Sequence, residues 1–148
     1  MTEKNITPEE SKFTPKEIEA LIAKADEWEL HGRSILHQYS IRTMVKEFNG
    51  VGPDRMNPFW RWFLTKLSQR YLPAVLIHDM EYTTGGDEEA FHRSNLNLKT
   101  NLRIILNKLF HKWNPWYWVE YAAIWIIYRA CEYYGPEGFH RHHGVIPV

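Results

Sequence analysis

The residues with the most chemistry to offer fall in one short run, HDMEY, where His78 and Asp79 stand side by side and Tyr82 follows His78 by four positions. An imidazole can take a proton from water at neutral pH. A carboxylate beside it can hold a cation that polarises a carbonyl. Upstream, Asn49-Gly50-Val51-Gly52-Pro53-Asp54 offers several backbone carbonyls in a stretch whose glycines and proline oppose any regular element. Calcium takes roughly six to eight oxygens, so carbonyls with one carboxylate suit it better than they suit zinc or copper. A glycine-rich loop closed against Asp79 would be such a site. The plain alternative is a helix-end histidine held by a neighbouring polar group.

For that chemistry the pair must lie on a helix with a second helix across from it. Residues four apart share a helical face, so His78 and Tyr82 lie on one stripe while Asp79 looks to the side. Pro73 opens this helix, which carries 74–82 and should stop around Gly85-Gly86. After the tight turn TTGGDEE, Asp87 can cap a helix running back antiparallel to roughly Leu109. Ser94, Asn95 and Leu98 are then at about the right depth to face His78.

The remaining elements also read as helical. Residues 1–13 are polar and without periodicity, a flexible tail. Thr14, Pro15 and Glu17 form a helix start of capping-box type, followed by Ile18, Leu21, Ile22 and Ala25 at helical spacing. A break near His31-Gly32 separates this helix from a second stretch over 34–48. Asn57-Pro58 restarts a helix with Phe59, Phe63 and Leu67 on one stripe. Asn114-Pro115 caps a last, aromatic helix expected to end at Gly135-Pro136. No strand pattern alternates cleanly and no repeat is found. The expected fold is mainly α: a small helical domain around the antiparallel pair carrying HDxxY, with a glycine-rich loop and an aromatic C-terminal helix.

With 148 residues, 44% of them hydrophobic, the chain can bury one sizeable core. Its 18 Lys and Arg balance 18 Asp and Glu, which removes the general electrostatic argument for nucleic-acid binding. The charge is uneven, however. Residues 1–31 hold eight acids against four Lys, while 90–119 hold Arg93, Lys99, Arg103, Lys108 and Lys112 and no acid. A basic face is a solvated helix flank or a surface for anionic lipid. The single cysteine, Cys131, permits no intrachain disulfide. The first thirty residues lack the layout of a signal peptide, so a cytoplasmic or virion-associated protein is expected. Glu120, Arg129 and Glu132 argue against a membrane-spanning last helix; a core or oligomer helix, or one at a membrane interface, fits better.

The sequence contains neither a GxxxxGK phosphate loop nor a dinucleotide fingerprint. His140, His142 and His143 form a terminal cluster with no supporting carboxylate or thiol, read as surface histidines, and Cys131 as a small buried hydrophobe.

NGVGPD, then HDMEY, then SNLNLKTNL on the returning helix together resemble the phospholipase A2 superfamily, in particular its cysteine-free bacterial, phage and parvovirus-capsid domains. The resemblance runs through residues 49–138, leaving 14–48 as an N-terminal helical extension and 139–148 as a tail. It implies a calcium-dependent carboxylic ester hydrolase acting on phospholipid sn-2 esters at a membrane surface. His78 would be the general base and Tyr82 a buttress. Asp79 would hold Ca²⁺ together with the carbonyls of Gly50, Gly52 and Asp54. Two positions depart from the family pattern. Val51 replaces a cysteine of the disulfide-bonded members, and Asn95 stands where an aspartate would accept the second N–H of the histidine. An amide cannot stabilise an imidazolium with a full charge, so the site is expected to be weakened or silent. A second reading therefore stands beside the first: a non-catalytic phospholipase-like module or virion component, docking on another copy or a virion partner through the aromatic helix over 115–134.

Overall fold

Each helix begins where a side chain or proline disposes of the free N–H groups of its first turn. A computed structural model describes residues 13–48 and 70–141, with side chains as far as Tyr133. Among the described residues the chain forms five α-helices and a short 3₁₀ turn, with no strand.

Helix α1, Pro15–Glu27, starts at the expected capping box: Thr14 Oγ1 accepts from the Glu17 N–H at 3.2 Å, and Glu17 returns the bond to the Thr14 backbone. The stretch over 34–48 is divided. A 3₁₀ turn, Arg33–His37, is followed by helix α2, Ile41–Glu47, whose cap is Ser40 accepting from the Thr43 N–H at 3.1 Å. Helix α3, Leu72–Thr84, stops at Gly85, whose φ of 73° is open to glycine at little cost. Helix α4, Glu88–Leu109, is capped by Asp87, which accepts from the Ala90 N–H at 2.8 Å.

Helix α5, Pro115–Arg141, runs through the Gly135-Pro136 pair expected to end it. A proline ring crowds the Cβ of the residue before it, and glycine has none, which removes part of that obstacle to continuing the helix. The boundary expected at 138 therefore falls inside a helix. The turn expected over 49–54 and the helix around Phe59, Phe63 and Leu67 lie outside the described residues, as do residues 1–12 of the tail expected over 1–13, whose last residue, Phe13, instead stacks on Phe48 at 4.6 Å.

α3 is the central element. Ala74, Leu76, Ile77 and Met80 are all essentially inaccessible, and α1, the 3₁₀ turn, α4 and α5 all pack on it. The N-terminal segment is part of the same core rather than an extension, because Ile18, Ala25, Leu30, Leu36, Met44 and Phe48 join Leu76, Ile77, Leu102 and Ile105 in one cluster. Each of the Leu, Ile, Met and Phe side chains among them contributes on the order of 1.5–3 kcal/mol relative to exposure.

Two buried polar residues tie distant segments to this core. Asn101 on α4 accepts from the His31 N–H at 2.7 Å and donates to the His31 carbonyl at 2.9 Å, satisfying both backbone groups of a non-helical residue. Glu120 on α5 is fully buried and accepts from Arg70 at 2.9 Å and from the Tyr71 hydroxyl at 2.9 Å. Its charge thus faces inward, to a partner at the start of α3.

Candidate functional site

α4 presents Phe91, Asn95, Leu98, Leu102 and Ile105 on one buried stripe, a spacing of four, three, four and three residues that keeps them on one helical face. Asn95 is thereby held in the apolar seam against α3, where His78 and Tyr82 meet it. His78 Nε2 lies 2.9 Å from Asn95 Oδ1, and the Tyr82 hydroxyl donates to the same oxygen at 2.7 Å. The Tyr82 ring packs on the imidazole with centroids 4.2 Å apart, and Phe91 packs on Tyr82 at 5.9 Å. With Oδ1 as acceptor, Nε2 carries the proton of the neutral imidazole, so the lone pair sits on Nδ1.

The site is deep. His78 is only 7% exposed. Burial holds its pKa down, to about 4 from the ordinary 6.5, against a smaller raising effect of the Asn95 bond. The imidazole is therefore neutral at physiological pH, available as a base but a weak one. Asn95 is fully buried, and its Nδ2 has no hydrogen-bond partner among the described residues, as is true of the neighbouring Ser94 Oγ.

Asp79 is half-buried, beside the pair rather than within it. Burial pushes its carboxyl up to about 8. Its side chain makes no hydrogen bond or ion pair among the described residues, while its backbone carbonyl accepts from Thr83 at 2.9 Å. Cys131 of α5 lies on this side of α3; burial first, and then the Asp79 charge, push its thiol up to about 12, so it is no nucleophile.

His78, Tyr82 and Asn95 are thus brought together. The other expected cation ligands, Gly50, Gly52 and Asp54, lie outside the described residues, as do His142, His143 and the His140 side chain. Among the described residues no three His, Cys, Asp or Glu side chains gather as a metal site would require. Asp87 is engaged as the α4 cap and does not replace the missing carboxylate. Two surface concavities, one with Asp26, Arg33 and His37 in its wall and one with Phe110, Lys112 and Trp113, do not include His78 or Asp79.

Glu81 is a half-buried carboxylate that the reading of the sequence did not single out. It accepts from Asn97 Nδ2 at 3.1 Å while its Oε1 has no partner among the described residues, and burial, eased by Asn97 and Arg93, puts its pKa at about 7. The available signal was its place three residues after His78, on the adjoining face of a helix buried nearly all round. A comparison with models of protein families, with curated proteins and with solved structures finds no match to this chain.

Proposed function

We propose that this chain is a phospholipase A2-like hydrolase domain of reduced activity, cleaving phospholipid sn-2 esters with calcium as its cation. The observation that carries the reading is the convergence of His78 and Tyr82, from one helix, on Asn95 of the antiparallel one. That arrangement fixes the imidazole and leaves Nδ1 to take a proton from an attacking water. Tyr82 holds the Asn95 amide in place. Asp79 is suited to a hard cation, since its carboxyl has no protein partner among the described residues and is costly to ionise alone. Asp79 with the carbonyls of Gly50, Gly52 and Asp54 would hold Ca²⁺. Bound there, the ion supplies Lewis-acid polarisation of the ester carbonyl and stabilises the oxyanion.

Asn95 limits the rate because the imidazolium formed on proton transfer gains no full counter-charge. In a serine protease, an aspartate-to-asparagine change behind the catalytic histidine lowers turnover by about ten-thousandfold, an analogy that sets the scale of such a loss. A sn-2-labelled phospholipid assay with wild type, His78→Ala and Asn95→Asp, each in calcium and in chelator, tests the reading. Slow calcium-dependent release by wild type, its loss in His78→Ala and a rise of about tenfold or more in Asn95→Asp are expected. No release from any of the three proteins would end the hydrolase reading.

A second reading is favoured by the depth of His78 and its weak basicity: a phospholipase-like interaction or virion module whose site is retired. Release seen in Asn95→Asp alone would select it.

A further inference from the structure

The outer face of α5 is apolar where a solvent-facing helix is normally polar. The inner face is accounted for: Tyr117, Glu120 and Ile124 are buried, with Ile127 and Cys131 against the core. At about 100° per residue, positions 118, 119, 122, 125, 126 and 129 fall on the opposite side. Trp118 and Val119 there are each 53% exposed, Trp125 50% and Ile126 43%. Trp116 and Trp113 extend the surface around the start of the helix at 50% and 87%.

The cations recorded against rings of this helix are Arg129 over Trp125, Lys99 over Tyr128 and Arg103 over Tyr121. Over residues 90–133 the acids are Glu120 and Glu132, against six cations, Arg93, Lys99, Arg103, Lys108, Lys112 and Arg129. Glu120 is buried on Arg70 and Tyr71, and Glu132 is bonded to His92 at 2.9 Å. Arg129 lies on the apolar stripe itself, over the Trp125 ring at 5.4 Å, and Lys112 sits at its start. A second copy packed on this face would meet the same cations, while the exposed Glu88 beside this helix already stands 3.7 Å from His92, itself bonded to Glu132. An anionic bilayer complements both properties: indole rings settle at the headgroup level while Lys and Arg meet lipid phosphates. No helix among the described residues is long and apolar enough to cross a membrane, so a helix lying along the surface is the fitting geometry.

We infer that the outer face of α5, from Trp116 to Arg129, docks on anionic phospholipid membranes. This surface is separate from His78 and does not depend on the hydrolase reading. Its test is flotation of the full chain with vesicles of non-hydrolysable ether-linked phosphatidylcholine, with and without phosphatidylglycerol, in chelator, alongside measurement of its oligomeric state.

Wild type is expected on the anionic vesicles and only weakly on the neutral ones. Trp125→Gln with Ile126→Gln, exposed changes that leave the helical circular dichroism intact, should weaken partitioning about tenfold. Arg129→Gln with Lys112→Gln keeps the apolar face and should weaken it severalfold on anionic vesicles alone. Absence of uptake on anionic vesicles overturns the inference, and so does equal uptake on neutral ones. A dimer that Trp125→Gln with Ile126→Gln dissociates, with no vesicle uptake, assigns the face to a second copy and also overturns it. Uptake without hydrolysis in the preceding assay would end the hydrolase reading alone.

Discussion

Asn95 Oδ1 takes two hydrogen bonds while its NH₂ group, equally buried, takes none among the described residues. An unsatisfied buried donor costs about 1–3 kcal/mol, so the amide is held here at a cost. Asn95→Asp would keep both bonds and exchange the orphaned NH₂ for a second carboxylate oxygen. It would also place a negative charge 2.9 Å from Nε2, favouring the imidazolium. The His78 pKa is then expected to climb from about 4 back towards its ordinary 6.5, read by following the imidazole nitrogens across pH by NMR. A pKa unmoved by the substitution would mean that burial alone controls His78, and the rate gain expected for this variant would lose its basis. Helical spacing and an antiparallel turn set Ser94, Asn95 and Leu98 alike opposite His78, and only the family resemblance singled out Asn95. The orphaned amide was not legible, because hydrogen-bond satisfaction depends on the whole shell around the side chain.

At the scale of elements, what the sequence announced was local. Thr14 with Glu17, and Asp87 with Ala90, are bonds within three residues, so capping chemistry alone places the starts of α1 and α4. Ser40 makes a bond of the same kind, yet its signal lay inside an apolar run over 34–48 that hid the break. The ties that orient the helices join residues far apart in sequence, 70 positions for Asn101 with His31 and 49 for Glu120 with Tyr71, and a single sequence carries no trace of such pairs. Asn101 holds both backbone groups of His31 where Gly32, at φ 79°, turns the chain so closely over α3 that an added Cβ would stand 3.3 Å from Ile77 and from Asn97. Asn101→Ala is expected to cost about 2 kcal/mol by orphaning those groups, and Gly32→Ala about 1–2 kcal/mol through left-handed strain. Urea denaturation measures both. Losses within about 0.5 kcal/mol, the usual scatter of surface substitutions, would show that this loop is not fastened to the core.

For the molecule as a whole, the buried and half-buried ionisable groups of α3 link protons to both stability and the cation. Asp79 and Glu81 have folded pKa values raised by burial, to about 8 from 3.8 and to about 7 from 4.5. Between those limits the folded chain keeps protons that the unfolded chain has released, so their contribution is fully present below pH 4 and lost as pH rises to 8. His78 acts with the opposite sign. Its pKa is lowered to about 4 from 6.5, so between those values the unfolded chain binds the proton and stability rises with pH. The two effects oppose each other below pH 6.5; above it the carboxyls act alone. In chelator, therefore, the melting temperature should fall from pH 6.5 to 8.5. Calcium binds ionised Asp79, and a ligand of the folded state stabilises it, so millimolar Ca²⁺ should raise melting more at pH 8.5 than at pH 6.5, where uptake must first release a proton. Asp79→Asn should remove the calcium effect and most of the fall in chelator. A calcium shift of equal size at both pH values, or one that survives Asp79→Asn, would place the cation elsewhere and detach Asp79 from the proposed chemistry.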